Sequence, residues 1–295
     1  MDTSTQWEIP GADGETIFGD CHLPVSESGG DFGGERGEPK GVILIAHGFK
    51  GYKDYGMFPR IAQTCAEAGF IAHRFNFSHS GMTNNLDTFE QPELFEQDTW
   101  NKQVSDFRAV IEAVDRGELA GSGKPFVMFG HSRGGVSALL TAGRFADDGS
   151  MPQPSGVVTA ASPSSSLNLT REMQDTLLEQ GYLVSPSSRT SQDLRVGKAF
   201  LLEMLDDPKT HDLQTQVKKI TCPVLVIHGD DDPTVPSENA GDLKEAAEQG
   251  ELLIVEGGNH VFNTPNPLPP DMASSKHLET VLGALIRFSE SRCCV

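Results

Sequence analysis

Basic residues are scarce in this chain: 23 Lys and Arg stand against 42 Asp and Glu in 295 residues, a formal net charge of −19. Nucleic acid and anionic membranes would repel such a chain, so neither is expected as a partner. The balance fits an acidic soluble enzyme as well as a chain adapted to salt. Long apolar runs are missing, since none approaches the ~18 residues of a membrane span. The start, Met1-Asp-Thr-Ser-Thr-Gln-Trp-Glu, has neither the basic residues nor the apolar stretch of a secretory signal. Cysteine is sparse. Cys21, Cys65, Cys222, Cys293 and Cys294 show no metal spacing and no paired framework, so free thiols in a reducing cytoplasm are expected. Cys293-Cys294-Val295 is no prenylation box, because the required cysteine would fall at Arg292. Nucleotide motifs are absent too. No Gly-x-Gly-x-x-Gly opens a helix, and Gly123-Lys124-Pro125 fails as a phosphate loop, with Pro125 in place of Ser/Thr and Glu118 at the first glycine position. Asp230-Asp231-Asp232 has no histidine or carboxylate partner at ligand spacing. Neither a metal nor a cofactor is expected, and there is no internal repeat.

What remains is 37% hydrophobic and 22% charged, and a chain of this length buries about three quarters of its unfolded surface. Trp7-Glu-Ile-Pro and Thr16–Leu23 flank Gly11-Ala-Asp-Gly14, a hairpin signal. Residues 25–39 have linker composition and are expected to be a mobile loop. Apolar runs at Val42–Ala46, Phe70–Phe75, Phe126–Phe129, Val157–Ala161, Val224–Ile227 and Leu252–Val255 then alternate with helical stretches, among them Phe58–Ala68, Thr99–Arg116 and Val136–Phe145. That alternation predicts an α/β fold with a mostly parallel sheet, helices on both faces, and one domain over 1–295. Residues 163–215 interrupt it, with helices expected at Leu169–Gln180, ended by Gly181, and within Ser191–Leu205. A C-terminal helix is expected over Ser274–Arg287.

Phe126-Val-Met-Phe-Gly130-His-Ser132-Arg-Gly134-Gly135 carries the most chemistry. A buried-strand run ends in Gly-x-Ser-x-Gly and passes into helix, the strand–turn–helix of a nucleophile elbow with Ser132 at its apex. A serine hydroxyl is a weak nucleophile and must protrude toward a base, and small Gly130 and Gly134 let strand and helix nearly touch. An acid and then a histidine should follow, each just past a strand. The run ending His228-Gly229 leads into Asp230-Asp231-Asp232, and the run ending Gly257-Gly258 leads into Asn259-His260. His277 is the only other histidine after the acids and falls in the terminal helix, so His260 is the expected base. His47, His131 and His228 read as structural groups at strand tips.

On His47-Gly48-Phe49, Gly130-His-Ser132-Arg-Gly-Gly135, His228-Gly-Asp-Asp-Asp232-Pro and Gly258-Asn-His260 the chain resembles the α/β-hydrolase family over roughly residues 40–290. It looks most like the single-domain esterases with a short lid, such as feruloyl esterases and dienelactone-hydrolase-like relatives. In Arg74-Phe-Asn-Phe-Ser-His79-Ser-Gly81, His79 stands where the family usually has glycine. The resemblance implies an eight-stranded sheet, a lid in 163–215, and the acid at Asp232 immediately before Pro233, with Asp230 and Asp231 the alternatives. It also implies an oxyanion hole from the backbone N–H groups of Phe49 (Lys50 adjacent) and Arg133. The expected function is a serine hydrolase that cleaves a carboxylic ester of a small-molecule acyl substrate through an acyl-enzyme. A peptidase, thioesterase or acyltransferase would use the same triad. A non-catalytic binding protein on this scaffold would be expected to lack a triad member.

Overall fold

The computed structural model describes residues 4–24 and 38–294, so most of the expected loop 25–39 lies outside the described residues. The strands are β1 (Thr5–Pro10), β2 (Thr16–His22), β3 (Val42–Ala46), β4 (Ile71–Asn76), β5 (Phe126–His131), β6 (Gly156–Ala160), β7 (Tyr182–Ser187), β8 (Gln192–Gly197), β9 (Val224–Gly229) and β10 (Gly250–Val255). Eight of them form one sheet in the order β1-β2-β4-β3-β5-β6-β9-β10. β1 and β2 pair antiparallel, β2 runs antiparallel to β4, and every pairing from β4 through β10 is parallel.

β3 shows why the central strands read as unbroken apolar runs. Successive side chains point to opposite faces, and both faces of a parallel sheet are covered. Leu44 and Ala46 join one core layer with Phe107, Val136, Leu139 and Leu243. Ile43 and Ile45 join the other with Phe58, Ile61, Val281 and Leu285. All are buried, and each of the large ones contributes roughly 1.5–3 kcal/mol by leaving water. The helices Trp100–Asp115, Arg133–Arg144 and Glu238–Ala246 cover the first face; Phe58–Glu67 and Lys276–Cys293 cover the second. The terminal helix runs past Arg287 because Phe288 and Ser289 are themselves buried.

The segment between β6 and β9 differs from its sequence reading. A helix does span Arg171–Gln180, capped by Thr170 and ended by left-handed Gly181. The helix expected within Ser191–Leu205 occupies only its second half, Ala199–Asp206; the first half is β8, which pairs with β7 in a separate hairpin. Period two explains it. Leu194 is buried against Tyr52, Met82, Phe89 and Phe95, with half-buried Val196 beside it, while Asp193 and Arg195 point outward. None of the helices in the described residues is long and apolar enough to cross a membrane.

Candidate active site

The tip of β5 is the tightest point of the fold. Ser132 has φ 52 and ψ −121, a sparsely populated conformation costing about 1–3 kcal/mol that surrounding contacts must hold. Its N–H donates to the Ala160 carbonyl at 2.8 Å. A Cβ on Gly130 would strike the Gly134 backbone, and one on Gly134 would strike the His47 carbonyl. The helix Arg133–Arg144 can therefore begin directly beneath the serine.

Loops after three strands converge there. Ser132 Oγ lies 3.1 Å from His260 Nε2, and His260 Nδ1 lies 2.8 Å from Asp232 Oδ2. With Nδ1–H donated to Asp232, Nε2 is free to accept the serine proton. Asp232 Oδ1 accepts the amides of Thr234 at 2.8 Å and Val235 at 3.0 Å. Its side chain is fully shielded from solvent. Burial alone would favour the neutral acid, but hydrogen bonds from His228, His260, Val235 and Thr234 together hold the carboxyl well below the usual range. Asp230 and Asp231 are exposed, and Asp230 accepts the Gly257 amide at 2.6 Å.

The strand-tip histidines fasten these loops. His131 Nε2 meets the His260 carbonyl at 2.7 Å, His228 Nε2 the Val235 carbonyl at 2.9 Å, and His47 Nδ1 the Gly48 carbonyl at 2.8 Å. Burial pushes His131 down to about 3 and His47 to about 4, so both stay neutral. The amides of Phe49 and Arg133 carry no hydrogen bond among the described residues. The turn at Phe49 is tight, with Lys50 at φ 54 and the Gly51 amide bonded to the Gly48 carbonyl. Among the described residues no three His, Cys, Asp or Glu side chains gather as a metal site would require.

Two clefts open on Ser132, with Phe49 on the wall of both. One, of about 240 Å³, is lined by His260, His131, Lys50, Tyr55, Ser187, Ser188 and Arg189. The other, of about 270 Å³, is lined by Trp100, Phe200, Leu169, Met173, Leu183 and Val196 around Arg133. The Arg133 side chain is largely but not fully buried, 3.0 Å from Asp98, with its guanidinium 4.6 and 4.5 Å from the Trp100 and Phe200 ring centroids. The β7–β8 hairpin contributes to both clefts. Sequence reasoning missed Lys50 as a side chain, Arg189, and the Trp100–Phe200 pair. Arg189 sits in a Ser/Thr-rich turn without periodicity, and the aromatic pair is remote in sequence.

Comparison with known proteins agrees with this architecture. Residues 42–269 match the model of the alpha/beta hydrolase family. A monoacylglycerol lipase of Mycolicibacterium smegmatis is 25% identical over 254 residues, 77% of this chain and 84% of that one. A protein of Pseudomonas savastanoi pv. phaseolicola, named for carbamate hydrolysis, is 33% identical over 73 residues. That match takes in 25% of this chain and only 28% of the relative's length. Among solved structures, Est1E from Butyrivibrio proteoclasticus superposes with a TM-score of 0.65 at 18% identity, covering 99% of both chains. The esterase domain of a Rhodothermus marinus protein gives 0.64 at 20%, again with 99% of both. At such identities these structures speak to the fold alone. The family match spans most of the chain, and the chain belongs to the alpha/beta hydrolase family.

Proposed function

We propose that this hydrolase is a serine hydrolase that cleaves a carboxylic ester through an acyl-enzyme, with Ser132, His260 and Asp232 as its triad. The observation that carries the reading is the unbroken hydrogen-bond line from Asp232 through His260 to Ser132 Oγ. Ser132 Oγ attacks the ester carbon while His260 Nε2 takes its proton. Asp232 holds the imidazole in the required tautomer and stabilises the imidazolium. The tetrahedral oxyanion sits against the amides of Phe49 and Arg133, and loss of one such donor typically costs about 3–4 kcal/mol of transition-state stabilisation. The C–O bond to the leaving alcohol then breaks and His260 protonates that oxygen. Water, deprotonated by His260, cleaves the acyl–Ser132 bond, releasing the carboxylic acid and restoring the serine. The segment 163–215, which supplies walls to both clefts, serves as the lid.

Relatives named as lipase and esterase support an ester over an amide. The test has two parts. A fluorophosphonate probe should label Ser132 and fail on Ser132→Ala. A panel of esters, thioesters and amides of one acyl group should then rank the esters first. Turnover in Ser132→Ala equal to wild type sinks the mechanism. Amide or thioester turnover above that of esters keeps the triad and replaces the substrate class.

A further inference from the structure

His260 divides the two clefts. As general acid it must reach the leaving-group oxygen, and it faces the cleft of Lys50 and Arg189 but not that of Trp100 and Phe200. The leaving alcohol therefore occupies the first cleft and the acyl chain the second. The first is electrostatically unusual for this chain. The protein carries a net charge of −19, yet among the described residues no carboxylate lines this cleft. Neither Lys50 nor Arg189 has an acidic partner among the described residues. Among the described residues Lys50 Nζ makes one hydrogen bond, to the Pro186 carbonyl at 2.9 Å, and lies 5.5 Å from the Phe49 ring centroid, so two of its three N–H donors remain for a ligand. The Arg189 guanidinium lies 4.5 Å from the Tyr52 ring centroid and spends donors on the Leu86 carbonyl and the Met82 sulfur. That contact fixes its position and leaves N–H groups over. Where Arg133 is neutralised by Asp98, these two cations are not.

We infer that the substrate's leaving group carries an anion, a carboxylate or a phosphate, held by Lys50 and Arg189 while an apolar acyl chain fills the opposite cleft. This rests on the ester-hydrolysis reading above. Two half-buried cations left unpaired in an acidic protein keep their charge for a ligand. A hydrogen bond to a charged group gains more than a neutral one, and the surrounding excess of negative charge favours only anions that the pair can grip.

The test compares three butanoate esters of matched length, 3-carboxypropyl, 2-phosphooxyethyl and the neutral 3-carbamoylpropyl, whose leaving oxygens differ little. The account predicts kcat/KM for at least one anionic ester about tenfold or more above the carbamoyl ester, carried by KM. The larger of the two ratios names the anion. Arg189→Gln with Lys50→Gln should bring the ratio toward one, and Arg189→Lys with Lys50→Arg should restore it. Raising salt should lower the ratio in the wild-type protein, which keeps the test decisive if the Gln variants disturb the hairpin. Ser132-dependent turnover of the carbamoyl ester with ratios of one or below overturns this inference alone. No Ser132-dependent turnover of any ester overturns the proposed function instead.

Discussion

The two clefts beside Ser132 differ in what has been done with a cation. On the acyl side Arg133 is largely buried between Trp100 and Phe200 and paired with Asp98, so its charge is consumed in building an otherwise apolar wall. On the alcohol side Arg189 also stacks on rings, those of Tyr52 and Phe89, but it and Lys50 meet a backbone carbonyl each and no acid among the described residues. One arginine is structure and the other is available chemistry, although the same hairpin walls both. A positive residue near a nucleophile thus says little until its partner is known. The nearest carboxylate decides between a packing role and a binding role.

Both clefts depend on one serine. Ser132→Ala should lower kcat by about 10⁶ for every substrate, whichever cleft it favours, with residual rate above water from the oxyanion amides. Steady-state kinetics on the ester panel checks it, and a loss confined to one substrate class would separate the clefts from the nucleophile. Asp232→Asn should lower kcat by about 10³–10⁴. Asp230→Asn and Asp231→Asn, on exposed carboxylates, should each stay within about tenfold of wild type. If Asp231→Asn proves the crippled variant, the acid lies one position away.

Smaller effects sharpen the division. Phe200→Ala should reduce the preference for hexanoyl over acetyl esters by at least about tenfold, while leaving the ratio between anionic and neutral alcohols near that of the unmutated protein. Competition assays with mixed acyl and alcohol series measure both ratios together, and a change in the alcohol ratio would mean that the clefts are one pocket. The gentlest probe is Asp98. Burial outweighs the Arg133 charge and the Gln103 hydrogen bond and pushes its carboxyl up to about 6. Its folded-state value therefore exceeds the unfolded one, the folded protein binds the extra proton, and stability from this group is lost as pH rises from about 4 to about 6. Urea midpoints over that range should fall for wild type relative to Asp98→Asn. An equal slope in both proteins would place the ionised pair in the fold throughout.

How far the sequence alone reaches depends on where each contact comes from. β3, β5 and β9 were legible because burial on both faces leaves apolar runs that need no partner to be seen. The turn at Ser132 was legible because its constraints, Gly130 against Gly134, lie within four residues. The strand character of β8 was not, because Leu194 is held by Tyr52, Met82, Phe89 and Phe95, far away in sequence. The same holds for the surroundings of the Arg133 side chain, whose stacking partners Trp100 and Phe200 come from separate elements. Local chemistry announced where a nucleophile would stand; long-range packing decided what surrounds it.

In the proposed mechanism Ser132 carries the acyl group covalently between two half-reactions. The direct measurement is acid quenching during turnover of an activated aryl butanoate, followed by peptide mass spectrometry. The account predicts a butanoyl mass increment on the peptide containing Ser132, present in wild type and absent in Ser132→Ala. An unmodified Ser132 during rapid turnover, or the increment on another residue, would contradict it.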